Sequence, residues 1–204
     1  MRSLLVGFYS LWFAGCVTLG PKPEVVYHRA DLKTKTKKVI VFPTTDFTGK
    51  KSPGAQDIDK VVVAGWTNLY GAKNVIPAGP VLEQLTKVGG KDTYSKLISS
   101  LDNVSAVEQL HKNEEVRKLI GEITSKLGNY NFSLAIVNGG KQEFDQKQPV
   151  RIHLGYFDSE NLTWRWITKI EDTKGTIGDW RATSNMMVNN SFDIAAKLEK
   201  GEKI

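Results

Sequence analysis

The sequence predicts an α/β fold: a single mixed β-sheet of about four to five strands, packed by helices and standing behind a lipidated tether. Three observations carry that reading. Short β-branched runs alternate with helical apolar stripes through the first part of the chain, whereas the last strands follow one another as an antiparallel meander. Ahead of all of them stands an apolar run ending in the chain's single cysteine, Leu11–Cys16, L-W-F-A-G-C.

That leading run has the anatomy of an export signal. Arg2 is the only charge before Lys22, Leu4–Phe13 is apolar, and Ala14-Gly15 supplies the small residues that precede a signal-peptidase cut. A membrane-spanning helix needs ~20 apolar residues, and this run meets Gly20-Pro21 and then Lys22 too early. The block F-A-G-C resembles the lipobox of bacterial lipoproteins, with Phe13 where leucine is usual. The resemblance implies that residues 1–15 are a signal peptide and that Cys16, acylated, is the first residue of the mature protein, held in a lipid bilayer. Buried acyl chains contribute ~0.8 kcal/mol per CH₂, so two or three chains anchor durably where one does not. Val17 stands where an inner-membrane retention signal carries aspartate. By the same analogy the anchor belongs in the outer membrane, on its periplasmic face. With Cys16 acylated, no thiol remains for a disulfide, a thiolate metal site or a cysteine nucleophile.

The elements follow in order. Residues 16–36 read as a flexible tether, with Pro21 and Pro23 and little apolar periodicity; a random coil of that length reaches only ~25 Å. The domain then occupies 37–204. Lys38–Phe42, K-V-I-V-F, is a buried strand stopped by Pro43. Thr44–Gly54 is a polar loop, and Ile58, Val61, Val62, Gly65, Trp66 and Leu69 then share a helical face that Gly71 closes. Lys73–Ile76 is a second short strand ended by Pro77. Helices are expected over Gly79–Val88, Asp92–Leu101 and Ser105–Leu127, the last with Val116, Leu119, Ile120, Ile123 and Leu127 as its stripe. Phe132–Val137 is a continuous apolar strand. Val150–Phe157 and Leu162–Ile170 form a hairpin turned at Asp158–Asn161, with Trp164, Trp166, Thr168 and Ile170 alternating onto one face. A helix over Ala182–Leu198, placing Met187, Ser191, Ile194 and Leu198 together, closes the chain.

Composition is that of an ordinary globular domain, 40% hydrophobic and 25% charged. The net charge of +6 is uneven: Arg29, Lys33, Lys35, Lys37 and Lys38 crowd together, opposed only by Asp31. No aromatics interleave with them as they do in single-strand nucleic-acid binders, so nucleic acid is not an expected partner. A basic run beside an anchor suits anionic lipid heads or an anionic wall polymer, or simply a solvated tether.

Three further stretches carry a family likeness. V-I-V-F-P-T-T-D-F-T-G (Val39–Gly49) and K-L-G-N-Y-N-F-S-L-A-I-V-N-G (Lys126–Gly139) resemble the first strand and loop, and the helix end and central strand, of a periplasmic lipoprotein family. That family includes the curli secretion channel subunit (CsgG type) and the penicillin-binding-protein activator LpoB. H-L-G-Y-F-D-S-E-N-L-T-W-R (His153–Arg165) resembles its Trp-bearing hairpin. The resemblance implies a non-catalytic binding, regulatory or assembly factor of an envelope complex, of cell-wall synthase activator type. The alternative is a secretion or assembly lipoprotein of the curli-channel type. Two departures matter: the chain has no long amphipathic segments to insert as channel hairpins, and its tether is short. The partners this reading allows are the bilayer through Cys16, an envelope protein, and further copies of the chain.

Catalytic patterns are thin. Gly49-Lys50-Lys51-Ser52 follows a strand but lacks the first glycine and the spacing of a phosphate loop. His28, His111 and His153 sit at no metal-ligand spacing, and no metal or cofactor is expected. Glu143 with Asp145, or Glu171 with Asp172, are the carboxylate pairs a wall hydrolase would use; acidic turn residues are commonplace, and the expectation is that the protein is not an enzyme. Tyr156, Phe157, Trp164 and Trp166 read as core. Trp164, Arg165 and Trp166 are the candidate interaction surface should one of the rings face outward, because Trp, Tyr and Arg dominate interface hot spots.

Overall fold

The computed structural model describes residues 20–32, 35–46, 50, 55–77, 98–99, 107, 109, 112–138, 150–172 and 180–204. Its strands are β1 (Glu24–His28), β2 (Val39–Val41), β3 (Val75–Pro77), β4 (Asn131–Asn138), β5 (Val150–Asp158) and β6 (Thr163–Asp172). The helices among the described residues are α1 (Ala55–Tyr70), α2 (Glu114–Leu127) and α3 (Trp180–Lys200). The strands form one sheet in the order β1-β6-β5-β4-β2-β3. β2 runs parallel to β3 and β4, while β4, β5, β6 and β1 are successively antiparallel. This is the expected mixed sheet, with one strand more than the four to five anticipated.

The additional strand lies in the stretch expected to be tether. Glu24–His28 pairs with β6, Glu24 opposite Lys169 and His28 opposite Trp166. Val25, Val26 and Tyr27 supply the β-branched and aromatic residues a strand prefers, and Pro23 just before them is tolerated at a strand's start. Contact with the domain begins earlier still: Asn190 donates from Nδ2 to the Pro21 carbonyl at 3.3 Å, and Gly20 lies against Met186. The domain therefore reaches back at least to residue 20 rather than starting at 37, and Glu24–His28 is a sheet strand rather than tether.

Two apolar layers flank the sheet. On one face Val116, Leu119 and Ile120 of α2 pack with Ile40, Phe132 and Phe157. On the other, Ile58, Val62 and Trp66 of α1 and Met187, Val188 and Leu198 of α3 cover Val39, Leu154 and Trp166. Asn113 caps α2, its side-chain oxygen accepting from the Glu115 and Val116 amides at 3.1 and 3.2 Å. Gly71, at φ +84, makes the left-handed exit from α1 that a residue with a Cβ resists. The loop after β2 is held by Asp59 of α1, which accepts from the Thr44 amide and hydroxyl at 2.7 and 2.6 Å. The β5–β6 turn is locked by Asp158, whose carboxylate accepts from the Glu160 and Asn161 amides at 3.0 and 2.9 Å.

The α1–α3 crossing depends on a missing side chain. A Cβ at Gly65 would stand 2.4 Å from the Phe192 ring. Gly65→Ala gains helix propensity of ~1 kcal/mol, but overpacking costs ~1–3 kcal/mol, so net destabilisation is expected in urea unfolding. Adding Phe192→Leu in the same chain should recover most of the loss.

The expected alternation of β6 holds only in part. Tyr156 pairs with Trp166 and Phe157 with Trp164, so Arg165 is the extra residue of a bulge. Trp164 consequently joins the α2 layer and Trp166 the α1–α3 layer. They do not share a face. The helices expected over Gly79–Val88 and Asp92–Leu101, and the first part of Ser105–Leu127, lie largely outside the described residues.

Candidate functional site

The bulge turns Arg165 toward α3, and a buried polar cluster is built around it. Arg165 is 9% exposed. Its Nε donates to Glu199 Oε1 at 2.8 Å, and a terminal nitrogen donates to the Leu32 carbonyl. Trp166 Nε1 donates to the same Glu199 oxygen at 2.9 Å, and the Tyr70 hydroxyl donates to Oε2 at 2.5 Å. Burial first, then the neighbouring Tyr156 and Glu199, push the Tyr70 hydroxyl far above its usual range, so it stays protonated and donates. A carboxylate with three donors is well satisfied. Glu199 of α3 thus ties α1 to the bulge of β6, and Arg165 in turn ties the bulge to the segment after β1.

A second polar chain runs beside it. Tyr156 packs 4.6 Å from Trp66, centroid to centroid, and its hydroxyl accepts from Asn131 Nδ2 at 2.8 Å. Burial pushes its ionisation up as well. Asn131 also donates to the Thr36 carbonyl at 3.1 Å and accepts from the Ser159 amide at 3.2 Å, fastening the segment before β2 to the β5–β6 turn.

Above the Arg165–Glu199 pair lies a groove of about 860 Å³ between the β1 segment and the end of α3. Pro23, Val25 and Leu32 line one wall, Leu198 and Ile204 the other. His28 stands at its edge, exposed; partial burial and the Arg165 charge hold its imidazole below the usual range.

The residues singled out from sequence fall as follows. Trp164 and Trp166 are fully buried and Arg165 nearly so, which removes them as an interaction surface. The hydrophobic demand of two tryptophans outweighs any use of them at the exterior, and Arg165 is spent on Glu199 and Leu32. His153 is buried in β5 opposite Lys169. Glu171 pairs with Arg151 at 3.1 Å. Cys16, His111, Glu143, Asp145, Gly49, Lys51 and Ser52 lie outside the described residues. Among the described residues no three His, Cys, Asp or Glu side chains are grouped to hold a metal ion, and no helix is long and apolar enough to cross a membrane.

Glu199 and Tyr70 are the members that sequence reasoning missed. A signal existed for each side of the pair. An arginine between two strand tryptophans requires a buried counter-charge, and a glutamate in the last turn of a helix sits at the dipole end that disfavours it.

No family model matches the chain, and no curated protein does. Two solved structures of PelC from Paraburkholderia phytofirmans, both dodecamers, are similar to it in outline. The first is 9% identical, covers 90% of this chain and 99% of its own, and superposes with a TM-score of 0.49. The second, a point variant of that protein, is 11% identical, covers 88% and 98%, and has a TM-score of 0.44.

Proposed function

We propose that this protein is a lipid-anchored, periplasm-facing factor that binds or assembles an envelope complex and performs no chemistry of its own. The observation that carries the reading is the leading stretch: Arg2, the apolar run Leu4–Phe13, Ala14-Gly15 and the single Cys16. β1 begins eight residues after Cys16, at Glu24, so the domain is carried close to the bilayer rather than on a long arm. The best-developed polar cluster among the described residues also supports it, because both Glu199 oxygens already accept from Arg165, Trp166 and Tyr70 and the cluster acts as a strut. Within this reading, a cell-wall synthase activator-like role stands first, on the motifs Val39–Gly49, Lys126–Gly139 and His153–Arg165. A secretion or assembly role is its alternative.

Crosslinking in cells followed by affinity capture of the full chain separates the two. Recovery of a wall synthase supports the activator role, and a secretion component supports the alternative. Turnover of purified peptidoglycan by the protein, abolished by Glu143→Gln or Asp145→Asn, would overturn the non-catalytic reading.

A further inference from the structure

The strand directions sort the molecule into two ends. β1 runs from Glu24, level with Lys169 and hence with His153 and Ile136, to His28, level with Trp166 and Tyr156. Gly20 therefore lies beyond the end of the sheet where β4 stops and β5 starts, and Arg29–Leu32 and Lys35–Lys38 lie at the opposite end. That opposite end also receives the β5–β6 turn, through Lys35 and Glu160 at 2.7 Å, and the close of α3, which lines a groove with Leu32. Lys73 joins it from the 3₁₀ turn before β3. Exposed there are Lys35, Lys37, Lys38, Lys73, Lys200 and Lys203. Their acidic neighbours Asp31, Glu160 and Glu202 neutralise only part of the charge, Asp31 being taken up by Arg29 at 2.7 Å.

Distances decide what this basic end can meet. Cys16 stands four residues before Gly20, a link of at most ~14 Å. β5, running from Val150 at the Gly20 end to Asp158 at the opposite end, separates the two ends by about 26 Å at the strand rise of ~3.3 Å per residue. The attraction of anionic lipid heads decays within a Debye length of ~8 Å at physiological salt. A domain held by its Gly20 end keeps these lysines beyond that reach. The surface chemistry also argues against a protein-type hot spot. The end is rich in lysine, which protein interfaces deplete, and Ile204 is the one large apolar side chain exposed among the described residues.

We propose that the end of the domain carrying Lys35, Lys37 and Lys38 is a docking surface for an anionic polymer, facing away from the bilayer in which Cys16 is anchored. The orientation rests on the lipoprotein reading, whereas the binding surface does not. Lysines act there as mobile point charges along a polyanion, and binding is driven by release of its counterions.

The test uses the full chain and polyphosphate as the probe. In detergent solution, Lys35→Gln/Lys37→Gln/Lys38→Gln is expected to weaken polyphosphate binding by tenfold or more, with a shallower salt dependence than the wild type. Lys22→Gln/Lys60→Gln/Lys118→Gln removes the same charge elsewhere and should change it less than about threefold. Equal losses in both triple variants would reduce the effect to net charge and overturn the surface. Reconstituted through its acyl chains in phosphatidylglycerol vesicles, the wild type should still capture the polymer. If the vesicles abolish that capture, the basic end lies on the membrane and the outward orientation is wrong. Failure to acylate at all would remove the anchor reading and leave the detergent result standing.

Discussion

Replacing Glu199 by alanine lowers the unfolding free energy by about 3–5 kcal/mol, the cost of leaving a buried charge without its partner. Glu199 and Arg165 are each only 10% exposed at their side chains, so solvent takes over little of the lost interaction. The change also strips the acceptor from Trp166 Nε1 and from the Tyr70 hydroxyl. Glu199→Gln keeps the shape and one acceptor oxygen and should lose less. Arg165→Met together with Glu199→Ala should recover much of the difference, since removing both charges leaves nothing buried and unpaired. Urea unfolding followed by circular dichroism measures all three. A loss below ~1 kcal/mol for Glu199→Ala, typical of an exposed pair, would sink the strut.

The second large effect is at Trp66. Its ring is fully buried and meets Tyr156, Tyr70, Phe192 and Trp166 at centroid distances of 4.6, 5.3, 5.5 and 5.7 Å. Its Nε1 donates to Ser133 Oγ of β4 at 2.6 Å. Truncation to alanine opens a cavity where α1, α3 and the sheet converge, and costs about 3–5 kcal/mol. Trp66→Phe retains most of the packing but removes the donor, so a loss of about 1–3 kcal/mol is expected. The same unfolding experiment reads both. Equal losses for the two would mean that the hydrogen bond, and not the ring volume, dominates at this site.

How much of this was legible depends on the kind of signal. The mixed sheet follows from continuous apolar runs such as Val39–Val41 and Phe132–Val137, because a strand covered on both faces has no alternation to misread. The last helix was equally plain, since Met187, Ser191 and Leu198 are all buried at helical spacing. β1 was hidden by its neighbours. Three strand-forming residues, Val25–Tyr27, stand between prolines and a lysine-rich run, and only pairing with β6 makes them a strand. The bulge at Arg165 was hidden for a related reason: alternation is a local pattern, and one inserted residue, set by the partner strand, sends Trp164 and Trp166 to opposite faces. The partner of Arg165 lies 34 residues further on, in a helix whose apolar stripe gives no reason to single out Glu199. Side-chain constellations of that span are written in the tertiary fold rather than in any window of sequence.

The central claim is that Cys16 carries the acyl chains that place this domain on its membrane. Grow cells expressing the wild type and Cys16→Ala with a labelled fatty acid, extract the membranes with detergent, and recover both proteins. Label is expected in the wild type and absent from the mutant. The mutant should fold normally, because Cys16 lies eight residues before the first strand at Glu24, and it should either stay uncleaved at the inner membrane or be released. Wild-type protein without label, or a mutant labelled equally, would contradict the account and return Leu4–Phe13 to the reading of an ordinary signal peptide or a buried helix.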